Sequence, residues 1–166
     1  MMTSLADKTA LITGASRGMG RATALALAAA GARVIVHFGR NADEAKTVVD
    51  RIRAAGGRAD AVSADLAAPD GAHALAAQVR NLIGDRLDIF VSNAGISNAT
   101  AFENMTVKDF DNLFAVNVRP LTSSCSSCCQ SWLMAATSCS SLRSGRAQPS
   151  APYRPMQARR VPSTRW

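Results

Sequence analysis

Thr13-Gly14-Ala15-Ser16-Arg17-Gly18-Met19-Gly20 stands between a short apolar run and an alanine-rich stretch. Glycines at this spacing let the backbone approach a ligand closely, and a helix that follows offers its unpaired N–H groups to negative charge. On one side, residues 9–13 (Thr-Ala-Leu-Ile-Thr) have the apolar, partly β-branched character of a buried parallel strand. On the other, residues 21–30 are rich in helix formers and stop at Gly31. Strand, glycine turn and helix in that order point to a pyrophosphate site, with an ordinary tight turn as the alternative.

The same alternation continues outward from this unit. Residues 33–38 (Arg-Val-Ile-Val-His-Phe) read as a second buried strand. In the next helix Ala45, Val48, Val49 and Ile52 recur at helical spacing, and Gly56-Gly57 ends it. Residues 59–64 make a third strand leading into Asp65-Leu66. Pro69-Asp70 opens a helix with Leu75, Val79, Leu82 and Ile83 on one face, and residues 87–91 form a fourth strand. Thr106 to Asp109 fits a capping box, and Phe110, Leu113 and Phe114 begin an apolar stripe. The expected fold is α/β: a Rossmann-like doubly wound parallel sheet, truncated to about four strands in the order 3-2-1-4, with helices on both faces and an irregular C-terminal tail.

Several landmarks then fall in register. The spacing Thr-Gly-x-x-x-Gly-x-Gly is followed by Asp65-Leu66 after the third strand and Asn93-Ala94-Gly95 after the fourth. Asn117-Val118 comes next, with Pro120 close behind. Over residues 7–119 this pattern resembles the short-chain dehydrogenase/reductase family. The resemblance implies a nicotinamide-dependent oxidoreductase that interconverts a carbonyl and an alcohol of a small molecule by hydride transfer. Position by position, it implies cofactor contacts at Gly14, Ser16, Arg17, Gly18, Met19 and Gly20. It further implies adenine recognition at Asp65-Leu66 and cofactor contact at Asn93, Ala94 and Gly95. Asn117 corresponds to the family asparagine that organises water and the catalytic lysine.

Two of these residues also have a purely structural reading. Asn117 lies three residues beyond Phe114 on the apolar stripe, where a buried amide must find hydrogen-bond partners. Asp65 suits a helix cap or a turn. Cofactor choice rests on the end of the second strand, where a carboxylate would take the ribose of NAD and an arginine the extra phosphate of NADP. The chain has His37-Phe38-Gly39-Arg40 there and no acid before Asp43. NADP(H) is therefore favoured over NAD(H), with Arg17 and Arg40 as phosphate partners; two solvated surface arginines are the alternative. His37 and His73 are too isolated for a metal or triad role.

Composition divides the chain at Arg119. The net charge of +7 arises entirely beyond Val118, because up to there twelve Lys or Arg balance twelve Asp or Glu. From Arg119 onward there are seven arginines, no lysine and no acid, together with all four cysteines and both tryptophans. Residues 1–119 are expected to be the cofactor-binding domain and 120–166 a disordered tail. The family's proton transfer needs a serine, a tyrosine and a lysine four residues after the tyrosine. The tail's one tyrosine, Tyr153, is followed at that spacing by Gln157. Joining the last base of each codon after Arg119 to the first two of the next allows a run that includes Tyr-Ala-Gly-Thr-Lys. A serine then falls thirteen positions before that tyrosine. A one-base frame slip near Arg119 accounts for this, and the chain as written is expected to be inactive.

Cys125, Cys128, Cys129 and Cys139 have partial metal-ligand spacing but no accompanying histidine, so no metal is expected. The tail arginines offer non-specific phosphate contacts, yet lack interleaved lysines and a recognisable nucleic-acid-binding fold. A non-catalytic NADP-binding half-domain and a basic-tailed nucleic-acid-binding protein remain the alternatives to the enzyme. Neither a secretory start nor a membrane span is legible, so the cytoplasm is the expected location and no membrane partner is expected. The family's homo-oligomer is not expected here, since its assembly helices are truncated or lost.

Overall fold

A computed structural model describes residues 4–119, and its strands form where the apolar runs lie. The order is β1 (Thr9–Ile12), α1 (Gly18–Ala29), β2 (Arg33–Phe38), α2 (Ala42–Ala54), β3 (Arg58–Ser63), α3 (Gly71–Ile83) and β4 (Ile89–Val91). A 3-10 turn at Phe102–Asn104 and α4 (Val107–Asn117) follow. All strand pairs are parallel, in the order β3-β2-β1-β4. Ala10 lies between Val34 and Ile89, and Ile12 between Val36 and Val91, which aligns the carboxyl ends of the three strands.

Each strand feeds both faces of the sheet because successive side chains point to opposite sides. Ala10, Ile12, Val34 and Val36 pack with Ala24 of α1 and with Ala45, Val48, Val49 and Ile52 of α2. Leu11, Ile35 and Val62 pack on the other face with Leu75 and Val79 of α3. Two cores back to back on one sheet are the reason β1 and β2 read as continuous apolar runs rather than alternating ones. Polar contacts fix the edges: Asp60 takes Arg33 at 2.7 Å and Arg53 at 3.0 Å, tying β2 and α2 to β3. At the start of β1, Asp88 accepts from Thr9 N–H and Lys8, both at 3.0 Å.

Several details depart from the sequence reading. α1 begins at Gly18, within the glycine turn, because Arg17 is extended and already acts as the N-cap. β1 ends at Ile12 rather than Thr13, whose hydroxyl and amide turn to β4 instead. On α3 the buried line runs through Gly71, Ala72, Leu75 and Val79 with Ile83 partly buried, so Leu82 falls at its margin and is exposed. The stripe of α4 is not a core face: Phe110 and Phe114 are 48% and 49% exposed and stack on each other at 4.3 Å. The expected capping box is present, with Thr106 and Asp109 bonding each other's backbone N–H.

The expected tail, its four cysteines, Tyr153, Gln157 and the frame-slip reading all fall outside the described residues. Among the described residues, no helix is long and apolar enough to cross a membrane.

Candidate cofactor site

The order β3-β2-β1-β4 sends the chain one way from β1 to β2 and β3, then back across to β4. A crevice opens at such a switch point, outside the carboxyl ends of the strands. The glycine turn after β1 occupies this place and is fastened from both sides.

From the β4 side, the Thr13 hydroxyl accepts the N–H groups of Asn93 at 2.9 Å and Ala94 at 3.0 Å. The Asn93 side-chain amide donates to the carbonyls of Thr13 at 2.9 Å and Gly14 at 3.2 Å. From the β2 side, Gly14 N–H donates to His37 Nδ1 at 3.1 Å, and Ala15 N–H to the His37 carbonyl at 2.9 Å. Gly14 has φ +63, and a Cβ there would lie 2.9 Å from Ala94 Cα. Conformation and space thus both require glycine. Gly20 is needed for space alone, as a Cβ would come within 2.5 Å of Asn93 Nδ2 and of the Gly14 carbonyl oxygen.

Gly18 is different. Its φ is +56, yet a Cβ built on it meets nothing within 4 Å. The first turn of α1 beneath it has no side-chain cap and no acidic residue, and the first helical bond runs from Arg21 N–H to the Arg17 carbonyl. Arg17, Gly18 and Met19 are exposed, Met19 at 76%. An uncapped helix N-terminus facing open space beside a cationic side chain fits a diphosphate. Ser16, by contrast, is buried within the turn.

The remaining expected residues sit at the neighbouring strand ends. Arg40 is exposed two residues beyond β2. Asp65 is exposed after β3, where its carboxylate accepts Ala67 N–H at 2.9 Å in the turn reading anticipated for it. Leu66 turns its side chain into the core, leaving its backbone as the part a ligand would meet. Asn117 is exposed rather than buried, because the α4 stripe on which it lies is uncovered among the described residues. It nonetheless binds the Ile96 backbone at both ends of its amide, at 2.8 and 2.9 Å, and so holds the loop that runs on from Gly95.

His37 is the residue that spacing missed. It is only 2% exposed, and its Nε2 lies 3.1 Å from the Ala64 carbonyl. Burial lowers its pKa from the usual imidazole value, against an opposing pull from that carbonyl. The available signal was a polar side chain next to the carboxyl end of an apolar strand, which must find partners when buried. Arg119, which the sequence marks only as the boundary of composition, donates from its guanidinium to the Ala67 carbonyl at 3.3 Å, joining the end of α4 to the Asp65 turn. Among the described residues, no group of three or more His, Cys, Asp or Glu is placed to hold a metal ion.

Residues 8–140 match the family model described as short chain dehydrogenase, a match that runs past Arg119. A hydroxynaphthalene reductase of Aspergillus fumigatus is 41% identical over 115 residues, covering 69% of this chain and 42% of that protein. A 3-oxoacyl-[acyl-carrier-protein] reductase of Synechocystis sp. is 41% identical over 117 residues, covering 70% of this chain and 47% of that protein. The chain thus spans less than half the length of these relatives. Among solved structures, a Burkholderia cenocepacia short chain dehydrogenase in complex with NADP is 39% identical with a TM-score of 0.72. The match covers 77% of this chain and 52% of that one. A landomycin C-6 ketoreductase with bound NADP and rabelomycin is also 39% identical, TM-score 0.72, covering 78% and 55%.

Proposed function

This chain belongs to the short-chain dehydrogenase family, and from that premise we propose that its glycine turn holds the diphosphate of NADP(H). The observation that carries the reading is the uncapped N-terminus of α1 beneath Gly18, in a turn already fastened to β2 and β4. Gly14, Ser16, Arg17, Gly18, Met19 and Gly20 form the diphosphate seat. Arg17 and Arg40 take the extra phosphate, for which planar guanidinium groups are suited. Asp65 and the Leu66 backbone take the adenine, while Asn93, Ala94 and Gly95 border the cofactor at the end of β4. The bound nicotinamide supplies or accepts a hydride.

Within the family that chemistry interconverts a carbonyl and an alcohol, and this chain's own contribution is to bind and orient. Asn117 is its one member of the family's catalytic set, acting through the Ile96 backbone it holds. We further propose that residues 1–119 are the cofactor-binding domain, that the stretch from 120 lies in a shifted reading frame, and that the chain as written binds without turning over. NADP-bound relatives support the cofactor, and the lysine-free stretch beyond Arg119 supports the missing proton transfer.

Titration of the full chain with NADPH and NADH tests the binding. Asp tolerates the left-handed backbone of Gly18 and adds a carboxylate beside the diphosphate. Gly18→Asp should weaken NADPH binding by about tenfold or more, and the neutral Gly18→Asn by much less. Equal affinity in Asp and Asn variants, or a preference for NADH in the unaltered chain, would contradict the reading. Determining the DNA around the Arg119 codon tests the frame. A one-base correction there should yield Tyr-x-x-x-Lys and NADPH oxidation on carbonyl substrates, whereas turnover by the chain as written would sink the proposal.

A further inference from the structure

His37 is not among the residues assigned to the cofactor above, yet it joins three strand ends. Its two ring nitrogens face two backbone groups of opposite character. Nδ1 faces the Gly14 N–H, which can only donate, and Nε2 faces the Ala64 carbonyl, which can only accept. A single protonation state meets both: the neutral ring with its proton on Nε2. The other neutral tautomer would set N–H against N–H and a lone pair against a carbonyl. The doubly protonated ring would lose the acceptor that Gly14 requires.

Gly14 is where such an acceptor matters. Its left-handed backbone and its contact with Ala94 leave it one conformation, and its carbonyl already receives Asn93 from the β4 side. The His37 ring holds the opposite side of the same residue, and the His37 carbonyl holds the next N–H, at Ala15. The Ala64 carbonyl is one residue before Asp65, so the same ring also ties the diphosphate turn to the β3 end.

We propose that His37 is a positioning residue for the nucleotide, a neutral Nε2–H imidazole that sets the orientation of the glycine turn through Gly14 and links it to the Asp65 turn through Ala64. The proposal rests on the NADP(H) reading above. It differs from a general packing role because the two arms are separable by substitution. The side-chain oxygen of asparagine, bonded to Cγ, stands where Nδ1 stands and can accept from Gly14 without reaching Ala64. The side-chain nitrogen of glutamine stands where Nε2 stands and can donate to Ala64 without an acceptor at Gly14.

The test compares His37→Asn and His37→Gln in the full chain, by NADPH titration and by amide hydrogen exchange at Gly14. One buried hydrogen bond sets the scale of the expected effect. His37→Asn should keep Gly14 protected and NADPH affinity within about threefold of the unaltered chain. His37→Gln should lose the protection and weaken NADPH by about fivefold to tenfold. Equal loss of affinity in both variants, or affinity that follows thermal stability rather than Gly14 protection, overturns the proposal. No NADPH binding by the unaltered chain overturns the cofactor reading instead, so the two failures are distinguishable. Nitrogen-15 shifts of the unaltered chain give a check that does not depend on either variant folding. They should place the proton on Nε2, and a proton on Nδ1 overturns the assignment.

Discussion

At the scale of single residues, the glycine turn shows three different demands on one residue type. Gly14 meets conformation and contact, Gly20 contact alone, and Gly18 conformation beside open space. The spacing of the glycines was legible in the sequence; their division of labour was not, because it depends on Ala94 and Asn93, which are some eighty residues away. The partners of His37 were illegible for a related reason. A lone histidine carries no spacing, and its partners are backbone atoms that any residue at positions 14 and 64 would supply. Its burial has a consequence for stability. The unfolded chain binds a proton at this residue near the ordinary value of 6.5, while the folded chain resists it. The stabilisation is therefore complete above that value and falls as pH drops from 6.5 toward the lower folded pKa. Urea midpoints measured across this window should decline on the acid side, and His37→Asn should flatten that part of the profile.

At the scale of elements, apolar runs, helical spacing and capping signals located every strand and α-helix among the described residues but misplaced some of their ends and faces. They gave no sign of the 3-10 turn at Phe102–Asn104. The start of α1 was set late because glycines argue against helix, whereas the turn's own geometry carries Gly18 and Gly20 into the first turn. The face of α3 was drawn one position too wide at Leu82. On α4 the aromatic stripe was real as a pattern, yet Phe110 and Phe114 find each other rather than a core. Its start, in contrast, was fully local and was read correctly. Thr106 and Asp109 satisfy each other's N–H groups, and Asp109 is held below its ordinary pKa chiefly by the Thr106 hydroxyl. Thr106→Ala should cost about 1 kcal/mol. Hydrogen exchange should show that cost concentrated in the first turn of α4, where a loss spread evenly over the sheet would argue against the cap.

For the molecule as a whole, one sheet serves two cores, and the strand order that creates the crevice also couples them. Ile35 of β2 packs toward α3 while its neighbours Val34 and Val36 pack toward α1 and α2. Ile35→Ala should therefore cost on the order of 3 kcal/mol. It should lower the unfolding midpoint of both faces together in a single transition, whereas separate transitions for α3 and for α1–α2 would refute that coupling. The strand order, the parallel sense and the helices on both faces were all legible, since alternating apolar strands and amphipathic helices leave few topologies open. Asn117 was placed both by family register and by its position on the apolar stripe. Its amide has the partners that reading required, in the Ile96 backbone, but it is exposed because Phe110 and Phe114 of that stripe are themselves about half exposed.

The double fastening of the turn after β1 bears on the thermodynamics of anything that docks there. Holding a residue in one backbone well costs about 1–2 kcal/mol in lost entropy. With His37 on one flank and Thr13 and Asn93 on the other, that cost at Gly14 and Ala15 falls on folding rather than on association. A diphosphate therefore meets a rigid seat, and more of its contact energy survives as affinity.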